Sequence, residues 1–295
     1  MKDGPVDAIE HLMRQHHEAA GRLRVGPPTR LAFVVCSYDT AFESVADQIE
    51  EKIRQLTAAY SIEESIQWSL WVVDDLPAQR GFGDAVREGF RRADVRLRLT
   101  ASLRCVSMVS RAPRKGGLKG RALIDGFSAA LRWQPDVVIY LNLNLKVDAQ
   151  MSALCVEAVA HGQADVAVGS RFSGDGGIVI GAGPLGRLKS RVFSRMARTA
   201  LPSLGAYVDT NAPVKVFSAA AAAHLVRHAR LDDVTLDCEW LLLVQSAGFR
   251  MARFPIAWIQ RPGSRPPWHM VALTLRDVWR LRQRWIAGDF PRRDT

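Results

Sequence analysis

Short apolar runs that close abruptly on polar residues constrain the fold of this chain more than any other feature. Four such runs cover residues 31–39, 68–75, 136–148 and 165–171. A continuously apolar run predicts a buried strand of a parallel sheet that has helices on both faces. Ligands of open α/β sheets bind beyond the carboxyl ends of the strands, so we expect a site where these runs end.

Segments with helical periodicity alternate with these runs. The predicted helices cover residues 42–58, 83–93, 122–132, 156–161, 187–201, 219–227 and 236–247, and further strands cover residues 105–109, 214–217 and 254–259. This alternation predicts an α/β fold with a mostly parallel sheet, flanking helices and right-handed crossovers. Residues 174–186 are rich in glycine, and we expect them to form a lid or binding loop.

Breaks in this pattern divide the chain into three segments. Gly26, Pro27 and Pro28 end a polar helix, so residues 1–28 are predicted to be an N-terminal helical extension. Residues 29–265 contain the predicted strands and form the main domain. Residues 266–295 are predicted to form a C-terminal basic amphipathic helix and a tail.

The formal net charge of +10 and the isoelectric point near 9.9 predict an anionic partner. A phosphorylated ligand, a lipid headgroup or nucleic acid would each satisfy this charge, but no nucleic-acid-binding motif is present and we expect no such partner. The four cysteines are widely separated, which predicts neither a zinc site nor a disulfide framework and is typical of a reducing cytoplasm. We expect no transmembrane helix, because no apolar stretch approaches about 20 residues.

The order and spacing of the strand ends resemble those of family 2 glycosyltransferases, which have the GT-A (Rossmann-like) fold. The matching positions are Asp39, Asp74-Asp75, Lys119-Gly120, Asn142-Leu143-Asn144 and Gly169-Ser170-Arg171. Residues 209–217, 236–240 and 254–264 look most like the dolichyl-phosphate β-glucosyltransferase branch, whose relatives include dolichyl-phosphate mannosyltransferases. The resemblance runs from about residue 31 to about residue 282.

The resemblance implies a set of residues that bind a nucleotide-sugar donor: Ser37, Tyr38, Asp39, Asp74, Asp75, Lys119, Asn142, Leu143, Asn144, Arg187 and Arg191. Asp39 and Asp74 would accept hydrogen bonds from the base and ribose, whereas Lys119 suits a phosphate. Arg187 and Arg191 share one face of a predicted helix where this branch binds an anionic acceptor. The alternatives to ligand binding are that the acidic pair caps a helix and that the basic residues lie on a solvated loop or helix face.

The catalytic residues implied by the resemblance are Asp237, Glu239 and Arg171. Arg171 would hold phosphate, and one of the two carboxylates would orient or deprotonate an acceptor hydroxyl. A phosphate acceptor is already ionised and needs no strong base. Asp209 and Lys215 match the family's Asp-Thr-Gln-Cys-Gly-Phe-Lys segment, but residues 211–214 replace its Gln-Cys-Gly-Phe centre, which predicts a reshaped acceptor pocket.

The main departure from the family lies at Asn142-Leu143-Asn144. The family usually has Asp-x-Asp there, and its carboxylates hold Mg²⁺ or Mn²⁺ on the donor diphosphate. Asparagine offers a neutral oxygen, whereas a hard divalent ion strongly prefers a carboxylate. We therefore expect weakened binding of Mg²⁺ or Mn²⁺ and assign no metal ligand, although Asn142, Asn144 and Asp148 occupy or adjoin the usual metal position.

Three interpretations of this departure are open. In the first, the cations Lys119, Lys146 and Arg171 stabilise the leaving diphosphate without a metal. In the second, the protein binds a donor but transfers no sugar. In the third, Asp148 still recruits a metal.

The C-terminal helix carries tryptophans among arginines. Such a helix either makes a peripheral contact with an anionic membrane surface or packs on the domain with its arginines outward. Together, these features predict an inverting glycosyltransferase that moves a hexose from a UDP- or GDP-sugar to a small-molecule or lipid-phosphate acceptor. The alternatives are an inactive sugar-nucleotide-binding accessory protein and, less favoured, a basic nucleic-acid-binding protein.

Overall fold

The computed structural model describes residues 5–25, 29–36, 45–61, 65–73, 81–97, 103–109, 119–181, 195, 198–206, 209–232, 235–259 and 268–292. Within these ranges the helices are α1 (Pro5–Arg24), α2 (Val45–Tyr60), α3 (Phe82–Leu97), α4 (Lys119–Leu131), α5 (Ala153–Ala160), α6 (Ala219–His228), α7 (Leu236–Ser246) and α8 (Trp268–Ile286). The strands are β1 (Thr29–Cys36), β2 (Ile66–Val73), β3 (Leu103–Val109), β4 (Val137–Asn142), β5 (Val166–Ser170), β6 (Ile178–Ile180), β7 (Val214–Ser218), β8 (Met251–Pro255) and β9 (Ala257–Ile259).

The central sheet of the described residues has the strand order β3-β2-β1-β4-β7-β5-β8. Strands β1, β2, β3 and β4 pair in parallel, as do β5 and β8. Strand β7 runs antiparallel to both of its neighbours, β4 and β5. The prediction of a mostly parallel α/β sheet is therefore confirmed, and the carboxyl ends of β1, β4 and β5 lie at the edge where β7 begins.

Alternate residues of the strands face two hydrophobic cores. On β1, Leu31, Phe33 and Val35 pack in one core with α1, α2, α3 and α5, whereas Ala32 and Val34 pack in the other with α4, α6, α7 and α8. This alternation follows from the period of two in a strand. The sheet is thus covered on both faces, as its apolar strands require.

Both terminal helices share these cores. On α1, Leu12 and Leu23 are buried in the first core, and the Arg22 guanidinium donates to Glu157 on α5. On α8, Val278 and Leu281 are buried in the second core. The division at residues 28 and 265 stays a prediction, and the packing ties both helices to the central segment.

The glycine-rich loop predicted at residues 174–186 differs from the structure in its first half. Strand β6 pairs in parallel with β9, so this part is a fixed two-stranded sheet. At Gly177 an added Cβ would lie 2.3 Å from the carbonyl oxygen of Ser170. Only glycine permits so close a return of the chain onto the end of β5. Residues 182–186 lie outside the described ranges.

Candidate functional site

The candidate site lies where β4 and β5 end and β7 begins. Cys36, the last residue of β1, is the register partner of Asn142, the last residue of β4. Leu141 of β4 pairs with Val214, the first residue of β7. Because of this register, the polar residues after β4 and β5 and those before β7 share one edge of the sheet. The predicted location of the site is thus consistent with the topology.

Asn142 and Asn144 differ in their surroundings. The Tyr140 hydroxyl donates a hydrogen bond to Asn142 Oδ1. The spacing of the two asparagines predicts that both project from one side of an extended segment. Strand β4 instead ends at Asn142, and Asn144 lies in the following bend. Leu143 between them is fully buried. Asn144 Oδ1 is buried and has no hydrogen-bond partner among the described residues.

The loop after Asn144 is held from beneath by α2. The buried Lys52 Nζ donates to the Val147 carbonyl (3.0 Å) and to Gln55 Oε1 (3.2 Å), which also accepts from the Ala149 amide (3.0 Å). Burial lowers the pKa of Lys52 to about 8. The Asp148 carboxylate accepts from the Gln150 amide (2.8 Å) and caps a short 3-10 turn. This loop therefore has a defined position beside the two asparagines.

Arg171 follows β5 and is oriented by Asp209. Its Nε and Nη2 atoms donate to the two carboxylate oxygens of Asp209 (2.8 and 2.7 Å), and Nη2 also donates to the Asn211 carbonyl (3.1 Å). Burial disfavours the charged form of Arg171, but Asp209 outweighs it and raises the pKa of the guanidinium. The Arg171 guanidinium lies 5.0 Å from the ring centroid of Trp258, and Lys146 Nζ lies 5.8 Å from the same ring. Trp258 thus brings two cations from different loops together.

Asp237 and Glu239 are placed in the interior by the first turn of α7. Lys215 Nζ donates to Asp237 Oδ1 (2.6 Å) and to the Ala212 carbonyl (2.7 Å), and both charged side chains are almost fully buried. Glu239 accepts from Arg284 and from two backbone amides at residues 230 and 231. Because each carboxylate already has charged or amide partners, the geometry suits a structural role. That one of them orients or deprotonates an acceptor hydroxyl stays a prediction.

The other predicted site residues are placed only in part. Lys119 begins α4, and nothing is described of its side chain. Gly120 donates its amide to the Asp232 carbonyl (2.9 Å), and an added Cβ would lie 2.7 Å from the Leu231 carbonyl oxygen. Gly120 thus permits the close approach of the segment that follows α6. The remaining predicted residues lie outside the described ranges: Ser37, Tyr38, Asp39, Asp74, Asp75, Arg187 and Arg191.

Three residues near the site were not predicted from the sequence: Tyr140, Lys52 and Trp258. Tyr140 is the one aromatic residue in the run 137–141 and stands two positions before Asn142, which places both on the same face of the strand. That spacing was a usable signal. Nothing in the sequence indicates that Lys52 contacts residue 147, because the contact joins parts of the chain 95 positions apart.

A divalent metal does not fit the described side chains at the usual metal position. Asn142 Oδ1 accepts a hydrogen bond from the Tyr140 hydroxyl, and the Asp148 carboxylate caps a turn. In the described part of the chain, no three acidic, histidine or cysteine side chains group together as a metal site. Hard cations prefer several anionic oxygens, and here the two asparagines offer neutral groups.

The described helices include none that is both long and apolar enough to cross a membrane. On α8 the outward face presents Trp279 and Ile286, which are 61% and 67% exposed, beside the exposed Arg280. The opposite face packs on the second core. Helix α8 therefore packs on the domain, as one predicted alternative requires. Its exposed basic face is compatible with the other alternative, a peripheral contact with an anionic membrane surface.

The fold defines the class: it is the mixed α/β fold of the GT-A glycosyltransferases, which confirms the predicted fold. Solved structures that share it include glucosyl-3-phosphoglycerate synthase from Mycobacterium tuberculosis with Mn²⁺, UDP-glucose and phosphoglyceric acid. That likeness has a TM-score of 0.61 and 12% identity, and covers 94% of this chain and 84% of that chain. The same synthase with Mg²⁺ and UDP gives a TM-score of 0.59 at 13% identity, with coverage of 90% and 80%. At these identities the likeness shows the fold alone.

A curated protein with a similar sequence is glycosyltransferase AglD of Haloferax volcanii. The two are 32% identical over 141 residues, which is 48% of this chain. The chain matches only 21% of the length of that relative. No family model matches the chain.

Proposed function

We propose that this protein is an inverting, family 2 type glycosyltransferase that moves a hexose from a UDP- or GDP-sugar to an acceptor. The observation that carries the proposal is that Asn142, Asn144 and Arg171 follow strand ends at one edge of a GT-A sheet, where Trp258 brings Arg171 and Lys146 together. Sequence likeness to a glycosyltransferase across 48% of the chain supports the same activity. The dolichyl-phosphate branch stays the narrower form of the proposal.

The residues have distinct roles in this proposal. Asp39, Asp74 and their neighbours recognise the nucleoside. Arg171 and Lys119 hold phosphate. Asp209 accepts from the Nε and Nη2 atoms of Arg171. No described residue accepts from Nη1, and we assign this group to an anion. As the bond from the anomeric carbon to the phosphate oxygen breaks, its electron pair passes to the leaving diphosphate, and the acceptor oxygen bonds to the opposite face of that carbon.

The acceptor determines whether a base is needed. An alcohol must lose its proton, and for Asp237 or Glu239 to take it, that carboxylate would have to exchange its present partner for the acceptor. A phosphate or carboxylate oxygen is already ionised. The buried, paired state of both carboxylates supports an anionic acceptor. Small phosphorylated acids and lipid phosphates both offer such an ionised oxygen.

An assay of nucleoside diphosphate release tests the proposal. UDP- and GDP-hexoses are incubated with the chain and either 3-phosphoglycerate or a polyprenyl phosphate in detergent, and the product's anomeric configuration is read by NMR. We expect acceptor-dependent release and inversion with one acceptor. Arg171→Ala should slow release about 100-fold through lost charge stabilisation. The matched control is Arg253→Ala, which removes an ion pair with Asp175 outside the cluster and should change the rate less than twofold.

Two outcomes distinguish the alternatives. Donor binding without release in any acceptor mixture would favour an inactive sugar-nucleotide-binding accessory protein. Failure to bind every UDP- and GDP-sugar, with or without Mn²⁺, would overturn the donor assignment. In that case, salt-sensitive binding to unrelated DNA would favour the nucleic-acid-binding alternative.

A further inference from the structure

The Tyr140 side chain is fixed beneath Asn142. Tyr140 is fully buried, its ring lies edge-on to Trp240 with centroids 6.4 Å apart, and Lys215 Nζ lies 5.8 Å from its ring centroid. Lys215 is the register partner of Tyr140 on β7 and is anchored by Asp237. The Tyr140 hydroxyl donates to Asn142 Oδ1. A buried tyrosine hydroxyl requires such a partner.

This hydrogen bond fixes the polarity of the Asn142 amide. With Oδ1 accepting from Tyr140, the Nδ2 group must point to the other side of the planar amide. No hydrogen bond joins that group to a described residue, and Asn142 is partly exposed. The positive end of the hydroxyl dipole on Oδ1 also opposes a cation there. Asn142 therefore offers the site a hydrogen-bond donor rather than a metal ligand.

Asn144 offers the opposite polarity. Its Oδ1 atom is buried and accepts from no described group. Buried carbonyl-type oxygens nearly always have a donor, and an exception calls for an explanation such as a missing ligand. A hydroxyl group is a neutral donor of suitable size. Towards the described residues, Asn142 at the end of β4 thus has an open donor, and Asn144 two positions later has an open acceptor.

We infer that Asn142 and Asn144 replace the metal of this fold with a pair of hydrogen bonds of opposite polarity: Asn142 Nδ2 donates to the donor diphosphate, and Asn144 Oδ1 accepts from a hydroxyl of the same ligand. Tyr140 is the positioning residue that sets the Asn142 polarity. This inference rests on the proposed function, because it needs a nucleoside diphosphate in the site. It also explains why two neutral side chains can stand where carboxylates would repel an uncompensated diphosphate.

A double-mutant cycle on UDP affinity in EDTA tests the positioning role. Tyr140→Phe and Asn142→Ala should each weaken UDP binding about 10-fold, which corresponds to one hydrogen bond to a charged group. The double variant should also be weakened about 10-fold rather than about 100-fold, because both changes remove the same contact. Additive losses would overturn the coupling.

The matched control is Tyr60→Phe. Tyr60 is also fully buried, and its hydroxyl bonds to Ser152 Oγ (2.7 Å), in the first core. This change should alter UDP affinity less than twofold even if it lowers the melting temperature. Inorganic pyrophosphate serves as a second probe, whose binding should weaken in the Asn142 variant but not in Tyr60→Phe.

Asn144→Ala separates a ligand-binding acceptor from a structural one. It should weaken UDP-glucose binding about 10-fold and leave the melting temperature of the unliganded protein within about 1 °C, because the Asn144 oxygen loses no partner. A marked fall in that melting temperature with unchanged affinity would assign Asn144 a structural role.

The outcomes separate this inference from the proposed function. If UDP binds and the cycle is coupled but no sugar is transferred, the proposed function fails and the inference stands. If sugar is transferred while Tyr140→Phe and Asn142→Ala bind UDP normally, the inference fails alone. If neither UDP, GDP nor pyrophosphate binds, or if UDP binding to the wild type requires Mn²⁺, the inference is overturned.

Discussion

The interior carboxylates of α7 and the asparagines at the end of β4 contrast in how completely their polar atoms are used. Asp237 and Glu239 are buried, and each has a cationic partner. Towards the described part of the chain, Asn142 keeps an open donor and Asn144 an open acceptor. Both groups of residues match motifs of the glycosyltransferase family in the sequence. The comparison teaches that motif position alone does not distinguish a residue that holds the site from one that contacts its ligand.

The largest expected effect comes from breaking an interior pair. Asp237→Asn leaves the buried Lys215 charge without its counterion, and we expect a loss of about 3–5 kcal/mol in the free energy of unfolding. Urea titration measures it. The double variant Lys215→Met with Asp237→Leu should recover most of the loss. A variant Asp237→Asn that is as stable as the wild type but inactive would instead favour the acceptor-base role.

A second interior group links stability to pH. The His16 ring on α1 donates from Nε2 to the Pro255 carbonyl (2.9 Å), and burial lowers its pKa to about 4. The unfolded chain therefore binds the proton more readily, and stability falls as pH drops from about 6.5 to about 4, by up to about 3 kcal/mol.

His16→Gln should flatten this part of the pH dependence in urea titrations at several pH values. The matched control is His17→Gln, since His17 is exposed on the same helix, and it should keep the wild-type dependence. An unchanged slope in His16→Gln would show that another group causes the loss.

The smallest effect is expected where a charge pair is complete but exposed. Arg87 pairs with Asp84 on α3, and their side chains are 72% and 78% exposed. Water and salt screen such a pair, so Arg87→Ala should give a urea midpoint that cannot be resolved from the wild type. A clear shift of the urea midpoint would mean that an ion pair can stabilise the fold without being buried.

The sequence predicted the fold where local pattern is decisive. The runs at residues 31–39, 68–75 and 136–148 became β1, β2 and β4 because uninterrupted apolar residues suit a covered strand. The sequence did not predict the antiparallel direction of β7 or the pairing of β6 with β9, because periodicity carries no information on strand partners. The place of the asparagines at the sheet edge was predictable. The Tyr140 contact that sets the polarity of Asn142 depends on side-chain packing that only the fold supplies.

The most direct test of the central claim is the affinity of the wild-type protein for UDP, measured by calorimetry in EDTA and in Mn²⁺. We predict affinities within about twofold of each other, because amide hydrogen bonds replace the metal, and a clear gain from Mn²⁺ only in the variant Asn142→Asp with Asn144→Asp. Binding of UDP to the wild type in Mn²⁺ but not in EDTA would contradict the account.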